Sequence, residues 1–455
     1  MHRFAVHDHP VKVKDDCRHA SSRTKCSGTA PLTPVRYTAR AMTPAILFDD
    51  AHPALSPLTD LRASFDVRTG ALTTLERLRL ALDLDIVALR VPQHLAAITA
   101  ERHPGIAVNP QTVAASPVLL INGRCPLSYE PLASLEPGQS VVDAADGSLI
   151  AAMTTGEGAE RFLRGHPLDS AVVASLPSPA MLSRPWHFRT FRDDCLRSDL
   201  ELLDDGEAPD LPAGVTVFGD HALTLDPTAR VYPGTIIDLE HGPVALGPDV
   251  IVRPGCTLIG PCAVLAHSTV LDRALIKAGT AIGPHCKVAG EVGGVILQGF
   301  ANKAHDGHLG DSYVGEWVNL GAGTTNSNLL NTYAEVIAVA APGMSNERTG
   351  QQFLGAVIGD HVKAAICTRF MTGAVLHTGS MFAQSAAVAG CVPGFSWCTD
   401  AGRRPFRFDK FLDVAKAAMK RRKLEPSAAM IERLRALHHA AMAHHPTPDA
   451  SPTHS

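Results

Sequence analysis

The stretch from Leu246 to Val288 reads LGPDVIVRPGCTLIGPCAVLAHSTVLDRALIKAGTAIGPHCKV. Stepping through it six residues at a time meets an aliphatic side chain at every step: Leu246, Val252, Leu258, Val264, Val270, Ile276, Ile282 and Val288. Four places after each stands a small or slim residue: Val250, Cys256, Cys262, Ser268, Ala274, Thr280, Cys286 and Val292. An α-helix repeats at about 3.6 residues and an exposed strand at about two, so a sustained period of six belongs to neither. It predicts a hexapeptide β-helix, in which each step is a short strand plus a turn. The aliphatic residue fills the interior, the slim one fits beside the corner, and Gly and Pro supply the bends.

The period returns at Val314 and Leu320, and again at Ile358, Ala364, Phe370, Leu376 and Phe382. Val318, Thr324, Val362, Thr368, Ala374 and Ser380 then take the slim place. Between Val288 and Val314 the register slips, and between Asn326 and Leu354 it breaks. A solenoid sheds insertions as surface loops, where chemistry tends to sit, so these two breaks are where a site is sought.

A chain of 455 residues has room for two or three domains. Its formal charge of −4 argues against a nucleic-acid binder driven by bulk charge. Aromatic residues at 5%, with 37 Gly and 33 Pro, suit a solenoid better than an aromatic-rich sandwich. No apolar run approaches the ~20 residues of a membrane helix, and the first forty residues or so lack the apolar centre of a secretory signal. The ten cysteines show no paired C-x-x-C spacing and three fill the slim repeat place, so packing is their expected role. A reduced, cytoplasmic protein is expected.

Taken in order, residues 1–41 are basic and without periodic apolar pattern, and are read as a disordered extension. Residues 43–165 alternate strands and helices, an α/β domain. Its strands are expected at Ala45–Phe48, Ile86–Val91 and Val118–Ile121, its helices at Leu72–Asp83 and Gln93–Arg102, and a hairpin at Val141–Ala152 around Asp146-Gly147. Residues 166–210 read as a connecting segment with a short helix, and 211–397 as the solenoid. The region 404–440 holds two helices, Asp409–Lys423 and Ser427–His439, and 441–455 is a His- and Pro-rich tail expected to be disordered.

Residues 302–328, NKAHDGHLGDSYVGEWVNLGAGTTNSN, put Lys303, His305, Asp306 and His308 into the first break. Asn319, the Gly321-Ala322-Gly323 run, Asn326 and Asn328 follow closely. Acetylation of an amine needs a base near neutral pKa, which histidine supplies. A phosphorylated sugar needs fixed cations and amides, and a thioester oxygen needs a hydrogen-bond donor such as a backbone N–H beside a small residue. The residues alone equally allow two surface histidines and asparagines that cap turns.

This stretch resembles the acetyltransferase domain of the bifunctional bacterial family that makes UDP-N-acetylglucosamine, and in particular a divergent "alternate bacterial" branch, over roughly 43–440. That family pairs a glucosamine-1-phosphate N-acetyltransferase with an N-acetylglucosamine-1-phosphate uridyltransferase. The resemblance implies a left-handed prism, a homotrimer with sites between subunits, and acetyl-CoA as co-substrate. Gly310-Asp311 and Asn319 place the family's catalytic histidine on His305. His308 stands where the main family has a substrate-binding tyrosine. Glu291 matches an acidic residue supporting the base, Asn319 and Asn328 match sugar-binding asparagines, and Ala322, between Gly321 and Gly323, matches an acetyl-CoA contact. Lys303 is a further substrate-binding candidate, and Arg253, in Arg-Pro-Gly, resembles the phosphate-binding arginine, with Arg273 and Lys277 as alternatives.

The first domain is similar to sugar nucleotidyltransferases, so the implied fold is a nucleotidyltransferase-like α/β domain followed by a hexapeptide-repeat β-helix and C-terminal helices. Its VLLINGRCPL (118–127) resembles that family's strand ending in Asn/Ser-Gly-Asp-x-Pro-Leu, whose aspartate holds Mg²⁺; here the place is Arg124. In LSPLTDLRASFDVRTGALT (55–73), Arg62 and Arg68 are candidates to clamp phosphates and Gly70 to admit a nucleotide, with Asn122 nearby in sequence pattern. Asp49 and Asp50 are candidates to replace the lost metal ligand. The same residues also suit helix caps and surface arginines. The basic run Lys420, Arg421, Arg422, Lys423 either meets coenzyme A phosphates or is a solvated helix end.

Three readings follow. The first is a bifunctional enzyme using acetyl-CoA, an amino-sugar phosphate and a nucleoside triphosphate. The second is an acyltransferase with a non-catalytic binding module, and the third a structural β-helix scaffold.

Overall fold

The structure, a computed structural model, describes residues 42–207 and 209–445; the extension 1–41 and the last ten residues of the tail lie outside them. The α/β domain is a seven-stranded sheet in the order β3-β2-β1-β4-β6-β5-β7. Its strands are β1 Thr43–Phe48, β2 Leu84–Arg90, β3 Ala107–Val108, β4 Val118–Asn122, β5 Gln139–Asp143, β6 Leu149–Thr154 and β7 Ala171–Leu176. β1 lies parallel to both β2 and β4, so the chain reverses its direction of travel across the sheet at β1 and β4. Helices α1 Thr74–Ala81, α2 Ala96–Arg102, α3 Glu130–Ala133 and α4 Gly156–Leu163 connect the strands. α1 starts at Thr73, whose hydroxyl accepts from Glu76 N while Glu76 returns a bond to Thr73 N.

The sheet runs past the expected boundary at 165. Residues 171–176 pair in parallel with β5, so part of the expected connector is the edge strand β7. Its exposed Val172 and Val173 disguise it as a linker, because an edge strand need not bury both faces. The rest of the connector is a full helix, α5 His187–Leu203, whose Phe188, Phe191 and Leu196 pack against solenoid residues such as Ala281 and Tyr313.

From Thr216 the chain coils around three parallel ladders. The first sheet runs from Thr216–Phe218 up to His308–Gly310, the second from Leu223–Leu225 to Cys391–Val392, and the third from Arg230–Val231 to Ser396–Thr399, to which Gly402–Pro405 adds antiparallel. Val252 pairs with Val270 and Val270 with Val288, so a regular coil is three of the six-residue steps. The aliphatic positions named above are buried in one continuous core. The two sequence breaks have different physical origins. Val288 pairs with Lys303 and Leu297 with Val314, so the first is a pair of shortened coils with no loop expelled. The second is a true insertion, which carries a small hairpin of Ile337–Ala338 and Glu347–Arg348.

Rings stack on the corner between the second and third sheets. His267, His285, Phe300, Trp317 and His361 all have positive φ (53–61°), and successive centroids stand 4.7, 4.6, 4.5 and 6.3 Å apart with planes within 19°. Helices α6 Phe408–Lys420 and α7 Ala428–Ala441 close over this end, with Phe411 edge-on to His361. The start of the expected disordered tail is ordered: α7 reaches Ala441, a 3-10 turn follows at Met442–His444, and buried His445 meets the Gly394 carbonyl oxygen at 3.0 Å.

Candidate functional site

His305 lies on the four-residue turn 304–307, at the corner between the third and first sheets, and its side chain is exposed. Two glycines fix that turn's place in the stack. A Cβ on Gly290 (φ 75°) in the coil below would meet Gly307 O at 2.9 Å and His305 O at 3.1 Å. A Cβ on Gly307 (φ 109°) would run into the carbonyl oxygen of Thr324 above. The turn 321–324, holding Gly321, Ala322 and Gly323, is therefore the next step of the same corner, directly over the histidine's turn.

On the first sheet beside this corner, Glu291 pairs in register with His308. Lys277 Nζ lies 3.1 Å from Glu291 Oε1, and His308 Nδ1 lies 3.5 Å from the same oxygen. The Lys277 hydrogen bond holds the Glu291 carboxyl below its ordinary pKa, with the neighbouring His308 adding to it. Gly310 leaves room for the His308 ring and for Asn328, since a Cβ there would stand 2.6 Å from His308 Nε2 and 2.8 Å from Asn328 Nδ2. Asn328 donates to Asp311 Oδ2 at 2.8 Å, and Asp311 Oδ1 takes Arg192 Nη1 of α5 at 2.7 Å. Lys277, Glu291 and His308 thus form one polar group, and Asn328, Asp311 and buried Arg192 a second, with His308 and Asn328 both bordering Gly310.

Asn319 projects from the third sheet, in register with Asn302 and Lys363, so the 321–324 turn separates it from Asn328. The basic run ends α6 nearby: Arg422 Nη2 donates to Asn302 Oδ1 at 2.9 Å. Arg273 and Arg253 lie on the His305 corner but two and three coils lower. At about 4.8 Å per coil that is roughly 10 and 14 Å. Arg253 meets Asp272 at 3.4 Å and lies over the Tyr232 ring.

Lys303 is placed differently from its sequence expectation as a substrate ligand. Its side chain points into the prism and is 2% exposed. The ammonium donates to the carbonyl oxygens of His305 (2.6 Å), Asp306 (3.0 Å) and Ala289 (3.2 Å). Burial pushes its pKa down to about 8.

In the α/β domain, Asp49 and Asp50 follow β1, and Asn122 and Arg124 sit at and just after the end of β4. The carboxyl ends of parallel strands where the chain reverses are where open α/β sheets hold ligands. The donors there are already engaged. Arg124 Nη2 lies 2.6 Å from Asp50 Oδ2 and Nε 2.8 Å from Oδ1, with Asn122 Nδ2 also on Oδ2 at 2.8 Å. Burial works to raise the Asp50 pKa, but Arg124 outweighs it and holds the carboxyl below its ordinary value. Asp49 accepts Ser64 N and Ala51 N, each at 2.7 Å. Burial nevertheless raises the Asp49 pKa. No group of three or more metal-ligating His, Cys, Asp or Glu side chains occurs among the described residues. These residues do not fit a Mg²⁺ ion: a guanidinium stands among the carboxylates and the carboxylate oxygens are committed elsewhere.

The loop 55–73 is committed too. Arg62 is fully buried, with Nη2 2.7 Å from Asp360 Oδ1 of the solenoid and 3.3 Å from Glu316 Oε2. Arg102 of α2 joins the same Glu316 at 2.7 Å. Arg68 N donates to Gln298 Oε1 at 2.9 Å, and its guanidinium bonds the Ala71 carbonyl. Gly70 packs against α5 where Asp199 pairs with Arg77, Nε to Oδ1 at 2.6 Å. Arg62 and Arg68, expected at a nucleotide, instead dock the α/β domain on the solenoid, and Gly70 packs on α5. Arg192 and the ring stack carry no motif in the sequence, and Asp311 stands there only as a marker of the His305 position, with no hint of its bonds to Arg192 and Asn328. The rings did leave a trace, each falling three places after an interior aliphatic residue: Val264, Ile282, Leu297, Val314 and Ile358.

Residues 45–208 match the family model for sugar nucleotidyl transferases. The bifunctional protein GlmU of a Cyanothece species is 30% identical over 139 residues, covering 26% of this chain and 30% of the relative. GlmU of Koribacter versatilis is 25% identical over 215 residues, covering 43% of this chain and 42% of the relative. The chain thus spans less than half the length of these curated relatives. Among solved structures, the UDP-N-acetylglucosamine acyltransferase from Campylobacter jejuni aligns at 13% identity over 41% of this chain and 69% of its own, with a TM-score of 0.22. The acetyltransferase domain of PglB from Neisseria gonorrhoeae, in complex with acetyl coenzyme A, aligns at 10% identity over 80% of this chain and all of its own, with a TM-score of 0.14.

Proposed function

We propose, for a chain that is a divergent relative of the bifunctional GlmU proteins, a role in sugar-nucleotide synthesis. Its solenoid transfers an acetyl group from acetyl-CoA to the amine of an amino-sugar phosphate of the glucosamine-1-phosphate kind. Its α/β domain serves nucleotidyl transfer to a sugar-1-phosphate. The observation that carries the acetyl reading is the exposed His305 ring, on a corner turn packed under the Gly321–Gly323 turn and flanked by the Lys277–Glu291–His308 surface. The amine nitrogen attacks the thioester carbonyl, His305 takes the proton the amine sheds, the new C–N bond forms, the C–S bond breaks, and the proton passes to the departing thiolate. Lys277 and Arg273 offer cations for the phosphate, and Asn319 and Asn328 offer amides for the sugar. Asn319 leaves the third sheet and Asn328 the segment beyond Thr325–Asn326, an arrangement that suits a site completed by a second copy in a homotrimer.

The test is an acetyl-CoA assay with glucosamine-1-phosphate against other amino-sugar phosphates. His305→Ala should remain folded and lose about 10²–10⁴-fold in kcat; full activity in that variant sinks the assignment. A second reading keeps the acetyltransferase and makes the α/β domain a non-catalytic module, and the Arg124–Asp50 pair together with the docked Arg62 favours it. Pyrophosphate release on adding UTP or dTTP, Mg²⁺ and a sugar-1-phosphate decides between the two.

A further inference from the structure

The third sheet's inward row runs Val231, Val252, Val270, Val288, Lys303, Leu320, Ala364, Phe382 and Cys398. Lys303 is the one charged member, in a row where burial of an unpaired ammonium would be strongly unfavourable. Something specific must hold it there, and the reason lies in the corner beneath. Between Val270 and Leu275 the corner has four residues, and 304–307 has four again, but between Val288 and Glu291 there are only two, Ala289 and Gly290. A four-residue turn therefore overhangs a two-residue turn. The Lys303 ammonium fills the mismatch from inside, giving its three N–H donors to the carbonyls of Ala289, His305 and Asp306. It ties the short corner to the long one, and two of its three bonds go to the backbone that carries the His305 ring.

We propose that Lys303 is a positioning residue for His305, fixing from the prism's interior the turn that presents the imidazole to the substrate amine. This rests on the acetyltransferase reading given above. The ring itself makes no hydrogen bond to the rest of the chain among the described residues. Its position is therefore set by its backbone, and an error of about 1 Å at a reacting group costs on the order of 10²-fold in rate.

Lys303→Met restores an apolar residue of similar length to an apolar row. A purely structural lysine would show itself as a loss of thermal stability with unchanged kcat. The positioning role predicts a different pattern: whatever the shift in midpoint, protein that is still folded by circular dichroism should show kcat lower by about 10–100-fold with KM for both substrates within about twofold. Lys303→Gln, which keeps two N–H donors, should fall between the two and covers the case in which the Met variant does not fold. A folded variant of either kind with full kcat overturns the proposal. His305→Ala measured beside them separates the causes. Activity surviving in that variant removes the base and the positioning role together, whereas activity surviving only at Lys303 removes the positioning role alone.

Discussion

The guanidinium of Arg124 holds the carboxylate of Asp50 through two nitrogens, at 2.6 and 2.8 Å, across the carboxyl ends of β4 and β1. A cation delivered by a side chain therefore occupies the crevice in which a sugar nucleotidyltransferase would gather a divalent ion. Manganese(II), read by electron paramagnetic resonance without nucleotide present, should not be retained by the chain. Arg124→Asp should retain about one ion per chain. Retention by the unsubstituted protein that disappears in Asp50→Asn would contradict this account. The same Asp50→Asn change leaves a buried guanidinium short of its partner and should cost roughly 1–2 kcal/mol, less than a fully buried pair because Asp50 is partly exposed.

His361 sits in the ring stack with neither ring nitrogen bonded to protein among the described residues, and burial pushes its pKa down to about 3. Its folded pKa is thus below the unfolded value of 6.5. The unfolded chain binds the proton first, so stability is full above about pH 6.5 and falls as pH drops toward 3. Between pH 6.5 and 4.5 the loss from this one residue is on the order of 2–3 kcal/mol. His361→Phe keeps a flat ring against Trp317 and should flatten the acid limb of the urea midpoint by that amount. An unchanged acid limb would show that another group governs it.

Gly307 combines φ 109° with a carbonyl oxygen where its Cβ would go. Gly307→Ala should therefore destabilise by about 1–3 kcal/mol and shift the His305 turn. Acetyl transfer should fall in protein that circular dichroism still reports as folded. Gly350→Ala is a control, also at positive φ (72°) but with open space around it; it should leave acetyl transfer unchanged.

Lys277 is about half exposed and reaches Glu291 from two strands below His308. If it meets the sugar's phosphate, Lys277→Ala should raise KM for the amino-sugar phosphate about 10–100-fold while changing kcat little. A fall in kcat at constant KM would instead place Lys277 in the support of the base.

The interior of the solenoid was legible because one residue in six meets the same environment, whatever the neighbouring coil does. Leu258, Val270 and Ile282 needed only their own spacing. Lys303 is illegible for the converse reason: the coil from Val288 to Lys303 is three residues shorter than the regular one, two of them lost in the corner after Val288, so every later position moves and a buried lysine reads as one more charge in a polar turn. The motif singles out the His305 corner as a candidate, while its support has no signal in the sequence, since Gly290 and Thr324 act through coil stacking. Arg62 and Arg68 were misread because their partners, Asp360, Glu316 and Gln298, are more than two hundred residues away in sequence. Strand β7 was missed because an edge strand lacks the alternation that marks a half-buried one.

Arg62 and Asp360 are separated by 298 positions. At the ~5–20 residues per second of protein synthesis, the first waits about 15–60 s on the ribosome before the second exists. Throughout that interval the arginine-bearing loop has a finished sheet on one side and nothing to close it on the other. A nascent chain of this kind should be most vulnerable to proteases and to holdase chaperones at this loop, and its release should depend on completion of the coil that carries Asp360.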